Sequence, residues 1–287
     1  MAAAPAITVT HTAGADALDI FSEYLTTKTC FAFVLDTTLY DHRAATAAAT
    51  TAVLRSISAA HDTPLAALED TYADLSASHT PSPTDTWPAY QKQLFRELLS
   101  SANAPADDAT LDDLFRTYKK TVYAQLHPAA GALPLLRSLL KRSAHIVVAV
   151  DAAAVPHVPR DMAAWLVEHL YLDNFVDRIA ALDAGSDAFA DALRRLDVRP
   201  DETVLFAGAQ RDARAVAARE GVEAVVVAAD AVAEGEREGR GRGGSSEGMK
   251  VETAEDGVWE IGGLMVARNA VRMTLHERDR SVDTPRM

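Results

Sequence analysis

Carboxylates and hydroxyls standing where apolar runs end are the groups in this chain whose types and placement could do chemistry. Phe31 to Leu35 ends in Asp36-Thr37-Thr38, and His145 to Val150 ends in Asp151. A shorter run over 176–182 ends in Asp183 to Ser186, and Thr203 to Gly208 leads on to Asp212. If these runs are strands of an open parallel sheet, ligands bind beyond their C-terminal ends. Asp36, Thr38, Asp151 and Asp212 are then among the groups to inspect for acid/base or ligand-binding roles. Tyr40-Asp41-His42 offers a second acid/base pair, with a solvated loop as the alternative. His157, between Pro156 and Val158-Pro159, offers a partner for Asp151, with an exposed histidine as the default. Ser186 lacks the Gly-x-Ser-x-Gly elbow of α/β-hydrolases, and no Gly-x-Gly-x-x-Gly follows a strand, which counts against a dinucleotide site.

The elements that must position these groups follow from periodicity. Apolar spacing predicts a helix over Asp16–Tyr24 and buried strands over Phe31–Leu35, 145–151, 176–182, 203–208 and 224–228. Helices are expected over Leu133–Lys141, Pro159–Tyr171, 187–197 and Arg211–Arg219. Strands alternating with helices of this length form a parallel sheet covered on both faces. Between Ala44 and Gln125 the pattern is helical and alanine-rich, with one break at His79 to Thr84, where Pro81 and Pro83 interrupt it. The aromatic residues Tyr72, Trp87, Tyr90, Phe95, Phe115, Tyr118 and Tyr123 read as the core of that insert rather than as ligand contacts. Residues 234–249 are too rich in glycine and charge to bury a core and are expected to be a mobile loop. Their Arg-Gly run lacks the aromatic residues of an RNA-binding segment. Val258 to Ile261 is expected as a short closing strand or turn, and Ser281 to Met287 as a disordered tail.

The chain has 287 residues and a formal net charge of -13, an electrostatic balance that opposes nucleic-acid or anionic-membrane partners. A single cysteine, Cys30, excludes an internal disulfide and all Cys-based zinc spacings, and its apolar surroundings mark it as a buried hydrophobe. The N-terminal Met1-Ala2-Ala3-Ala4-Pro5 has no signal-peptide pattern, and no run approaches a membrane span. A cytoplasmic location is the expectation.

The order of parts is specific enough to resemble one family. Phe33-Val34-Leu35-Asp36-Thr37-Thr38-Leu39-Tyr40 looks like the first motif of haloacid dehalogenase-like (HAD-like) hydrolases, an apolar strand running into Asp-x-Asp-x-Thr. A helical insert follows, as in the family's helical-cap members. Leu133 to Leu140 is similar to the helix before the second motif, and Ala192 to Gly208 to the helix and strand before the fourth. The resemblance implies a Rossmann-like α/β core with helices on both faces and an inserted α-helical cap. Its parts would be an N-terminal arm and helix at 1–27, the core at 28–43 and 128–271, the cap at 44–127 and a tail at 272–287.

Four departures change what the resemblance implies about activity. Val34 stands where the family places its aspartate nucleophile and has no lone pair to attack phosphorus or carbon. Asp36 matches the family's acid/base and Thr38 its following threonine. The second motif's hydroxyl is replaced by Val150 and then Asp151, and no lysine occurs between Lys141 and Lys250 to serve as the third motif. Gly208-Ala209-Gln210-Arg211-Asp212 replaces one fourth-motif metal ligand by Ala209, while Asp212 matches the other. The expectation is a protein that lacks standard aspartyl-nucleophile phosphatase or dehalogenase activity and keeps a ligand-binding cleft between core and cap for a small molecule, with no cofactor. The first alternative is an atypical hydrolase of a small phosphorylated or halogenated substrate, working through Asp36 with Mg2+. The second is a scaffold or partner-binding subunit.

Overall fold

The computed structural model describes residues 15–79, 85–150, 160–182, 187–208, 213–228, 251–253 and 258–282. Among them two compact units separate, one within Met1–Tyr40, Pro128–Asp151 and Leu172–Met287, the other within Asp41–His127 and Ala152–Tyr171.

The first unit is built on strands β1 (Cys30–Val34), β2 (His145–Val150), β3 (Arg178–Ala181), β4 (Thr203–Gly208), β5 (Glu223–Val227), β6 (Val251–Thr253) and β7 (Trp259–Ile261). They form one sheet in the order β3-β2-β1-β4-β5-β7-β6. Every neighbouring pair is parallel except β6 with β7. β1 is flanked by β2 and β4, with Val34 opposite Ala149 and Phe33 opposite both Val148 and Phe206. All five β1 residues are buried, which explains a nearly continuous apolar run in place of alternation. Cys30, Ala32 and Val34 face a core shared with Phe189, Leu193 and Ala217. Phe31 and Phe33 point to the opposite face and stack on Phe206, with ring centroids 6.3 and 4.9 Å away.

The helices of this unit are α1 (Ala15–Thr26), α6 (Ala132–Lys141), α8 (Ala188–Arg195), α9 (Ala213–Glu220) and α10 (Leu264–Val282). α10 packs against α1 and α6. Ser22 Oγ donates to the Ala270 carbonyl at 2.9 Å, and Phe21 meets Trp259 at 4.9 Å between centroids. This helix extends into the stretch 272–287 expected as a tail, as far as Val282. Leu264, Ala267, Ala270, Val271 and Thr274 are buried at helical spacing, so an apolar stripe holds it to the unit. β6 was not expected either; it lines the edge of β7.

The second unit holds α2 (His42–His61), α3 (Leu65–Ser78), α4 (Trp87–Ser101), α5 (Asp108–Ala124) and α7 (Arg160–His169). The alanine-rich stretch breaks three times rather than once. Asp62, at φ 52, ends α2 in the left-handed conformation that Asp tolerates, and Asn103, also at φ 52, follows α4. Asp41, Thr86 and Asp107 each cap the helix that follows by accepting a backbone N–H. α7 groups with these helices rather than with the sheet where the linear reading put it. Asp161 accepts the Trp87 backbone N–H at 3.0 and 3.1 Å through its two oxygens, and Trp165 packs on Trp87. Trp87, Tyr90, Phe95 and Tyr118 are buried as expected of a core, whereas Tyr123 is 54% exposed.

Candidate functional site

Strands β1 to β5 end at Val34, Val150, Ala181, Gly208 and Val227. Val34 is the last residue of a central strand. It is 2% exposed and belongs to the same apolar cluster as Val147, Ala149 and Ala207. Burying a side chain of this size contributes about 1.5–3 kcal/mol. A carboxylate in its place would be desolvated and cost several times that unless neutralised or paired.

Beyond Val34 the chain turns tightly. Leu35 N–H still donates to the Ala149 carbonyl at 2.9 Å, so the parallel pairing runs one residue past the strand. Thr37 then takes φ 65, a left-handed backbone that a β-branched residue adopts only under constraint. Its N–H donates to the Tyr40 carbonyl at 2.9 Å and its Oγ1 to the Asp36 carbonyl at 2.6 Å. Leu39 N–H returns to the Leu35 carbonyl at 3.2 Å, and the Leu39 carbonyl accepts from Ala129 at the approach to α6. The turn is closed on itself and pinned to the chain that leads into β2.

β4 presses on this turn from the neighbouring position. A Cβ added to Gly208 would lie 2.4 Å from Thr37 Oγ1, 2.6 Å from Thr37 Cβ and 2.8 Å from the Thr37 carbonyl oxygen. Only glycine lets β4 end there. The structure therefore brings Asp36 and Thr38 together with the end of β4. Asp36 is half-buried on the turn, and Thr38 is fully buried. Among the described residues Thr38 Oγ1 has no hydrogen-bond partner, an arrangement that costs about 1–3 kcal/mol for a buried hydroxyl.

The remaining candidates divide. Asp151, His157, Asp183, Ser186, Ala209 and Asp212 lie outside the described residues, as does the 234–249 segment. Asp41 is committed to capping α2, its Oδ1 accepting from Ala44 N–H at 2.9 Å, and His42 is the buried first residue of that helix. Cys30 is fully buried, and burial pushes its thiol up to about 12, so it carries no thiolate chemistry. Thr37 is the residue that sequence reasoning passed over. A threonine is disfavoured in a left-handed turn; here its N–H and Oγ1 are held by the Tyr40 and Asp36 carbonyls, and Gly208 leaves room for it.

Magnesium needs several oxygen ligands, with carboxylates among them. Among the described residues no three His, Cys, Asp or Glu side chains gather closely enough to hold a metal ion, and Asp36 is the one carboxylate on the turn after β1. Asp151 and Asp212, the other candidate carboxylates, lie outside the described residues.

No family model and no curated protein matches the chain. Solved structures do. A 2-haloacid dehalogenase from Pseudomonas syringae pv. Tomato matches at a TM-score of 0.54 and 18% identity, covering 86% of this chain and 99% of that one. The chain has the haloacid dehalogenase-like fold. A haloacid dehalogenase-like family hydrolase from Xanthomonas campestris matches at a TM-score of 0.52 and 12% identity, over 88% of this chain and 98% of that one. The L-2-haloacid dehalogenase of Xanthobacter autotrophicus, with chloropropionic acid covalently bound, matches at 0.50 and 16%, over 85% and 98%. At these identities the likeness concerns the HAD-like fold. Among the described residues no helix is long and apolar enough to cross a membrane.

Proposed function

We propose that this HAD-fold protein does not carry out aspartyl-nucleophile phosphatase or dehalogenase chemistry and serves instead as a small-molecule-binding pseudoenzyme of the cytoplasm. The observation that carries the reading is Val34, an apolar residue at the C-terminal end of a central strand, 2% exposed and continuous with the core. A side chain of this kind has no lone pair for a covalent step. Val150 in place of a hydroxyl and the absence of lysine between Lys141 and Lys250 support the same reading, since phosphoryl transfer relies on positioned positive charge. Magnesium has no part in this account, and neither nucleic acid nor membrane is a partner.

A second reading is favoured by Asp36 and Thr38, which keep the spacing of the family motif at a constrained turn. In it Asp36 acts as a general base on water toward a small phosphorylated or halogenated substrate. Assaying purified protein on a panel of phosphate esters and 2-haloacids, with and without magnesium, separates the two. The pseudoenzyme reading expects no turnover above the rate of Asp36→Asn. Metal-dependent turnover that disappears in Asp36→Asn sinks it and establishes the second reading.

A further inference from the structure

The helical unit holds an arrangement that the strand-end residues do not involve. Trp87 on α4 and Trp165 on α7 meet in a V-shaped notch, with ring centroids 5.0 Å apart and planes inclined at 45°. The Lys119 ammonium on α5 lies 5.9 Å from the Trp87 ring centre and 5.3 Å from that of Trp165. A cation within about 6 Å of an indole is drawn to the negative face of the ring, and indole is the strongest of the aromatic side chains in this respect. Lys119 is solvent-exposed, and among the described residues it forms no ion pair, so the two rings are its recorded partners.

The surroundings favour positive charge as well. Asp161 and Glu168 stand four residues before and three after Trp165, on the same face of α7. The Asp161 carboxylate is fixed beside Trp87 by accepting its backbone N–H. His169 stacks on Trp165 with centroids 4.4 Å apart, and exposed Tyr123 meets His169 edge-on at 5.6 Å. Trp87 itself is only 4% exposed, and Trp165 is partly buried beside it.

We infer that this notch is a binding site for a small organic cation of the quaternary-ammonium class, with Lys119 as a tethered occupant that the ligand displaces. Aromatic faces offer no lone pairs to a metal ion, and the two carboxylates oppose an anion. A primary ammonium is compact and strongly hydrated, so Lys119 keeps much of its affinity for water and leaves readily. An alkylated ammonium spreads the same charge over a larger, weakly hydrated surface and gains more from the indoles. The inference stands apart from the reading of the strand ends.

The test is a titration of the full chain with tetramethylammonium chloride, against sodium chloride at equal ionic strength and against tert-butyl alcohol as the neutral isostere. The readout is the indole N–H resonances of Trp87, Trp165 and Trp259, the three tryptophans of the chain. Trp259, in the sheet unit, is the internal reference. The expected result is a saturable shift of Trp87 and Trp165 at about millimolar ligand with Trp259 unmoved. Lys119→Gln, at an exposed position that leaves the fold intact, should tighten binding about threefold or more by removing the competing cation. Silence in both the natural protein and Lys119→Gln overturns the inference. So does an equal response to tert-butyl alcohol, which would make the notch a plain apolar surface.

Discussion

Substituting Gly208 by alanine tests the packing of β4 on the turn that carries Asp36. The new Cβ would meet Thr37 Cβ at 2.6 Å and the Thr37 carbonyl at 2.8 Å, whereas ordinary carbon contacts are about 3.5–4.0 Å. Thr37 Oγ1 can rotate aside at the expense of its 2.6 Å hydrogen bond to the Asp36 carbonyl, but Cβ and the carbonyl move only with the backbone. A shift of about 1 Å in a closed turn corresponds to overpacking, at a cost of about 2–3 kcal/mol. Thr37→Gly removes two of the three contacts and relieves the left-handed backbone. That relief, about 1 kcal/mol, is offset by the larger entropy of glycine in the unfolded chain, so the single variant should change stability little. In its presence Gly208→Ala should cost at least about 1 kcal/mol less than in the natural protein. Urea unfolding in a Trp87→Phe/Trp165→Phe background isolates the fluorescence of Trp259 and hence the sheet unit. Strict additivity of the two substitutions, or a Gly208→Ala cost below about 0.5 kcal/mol, would show that β4 does not bear on this turn.

Three further expectations concern the rest of the molecule. Lys28 is 3% exposed and donates to the Asp201 carbonyl at 2.8 Å and to Glu223 Oε1 at 3.0 Å, so Glu223→Gln should cost about 1–2 kcal/mol in thermal or urea unfolding by weakening the support of a buried ammonium. Adding Lys28→Met to it should recover part of that loss, and a double variant as unstable as the sum would contradict this assignment. Native Cys30 should resist thiol reagents at pH 8 and react fully once unfolded. Its thiol is raised from 9.0 to about 12, so the folded chain keeps a proton that the unfolded chain loses, and stability from this group falls as pH rises from about 9 towards 12. Asp161→Ala should destabilise the helical unit by about 1 kcal/mol through loss of the contact with the start of α4, read from the fluorescence of Trp87 and Trp165.

The strands that build the site were legible because each is buried on both faces and reads as an apolar run ending in a polar turn, as at Phe31 to Asp36. Gly208 was legible as a glycine closing such a run. The left-handed Thr37 was not, because a β-branched residue carries no local signal for that backbone. The breaks at Asp62 and Asn103 were hidden by alanine, which supports helix whether or not it is buried. Pro64 and Pro105 were the available signals. α10 was obscured by its arginines and acidic residues, although Leu264, Ala267, Ala270, Val271 and Thr274 repeat at helical spacing. The placement of α7 with the other helices depends on Trp165 and Asp161 meeting Trp87, a long-range match that no local pattern announces.

The central claim is that no covalent aspartyl step occurs at the end of β1. Incubating the protein with 2-chloropropionate or with acetyl phosphate and magnesium, quenching in acid, and recording the mass of the tryptic peptide Thr29–Arg43 tests it most directly, since that peptide carries both Val34 and Asp36. The account predicts an unmodified mass under every condition. An ester or acyl-phosphate adduct on Asp36 would contradict it.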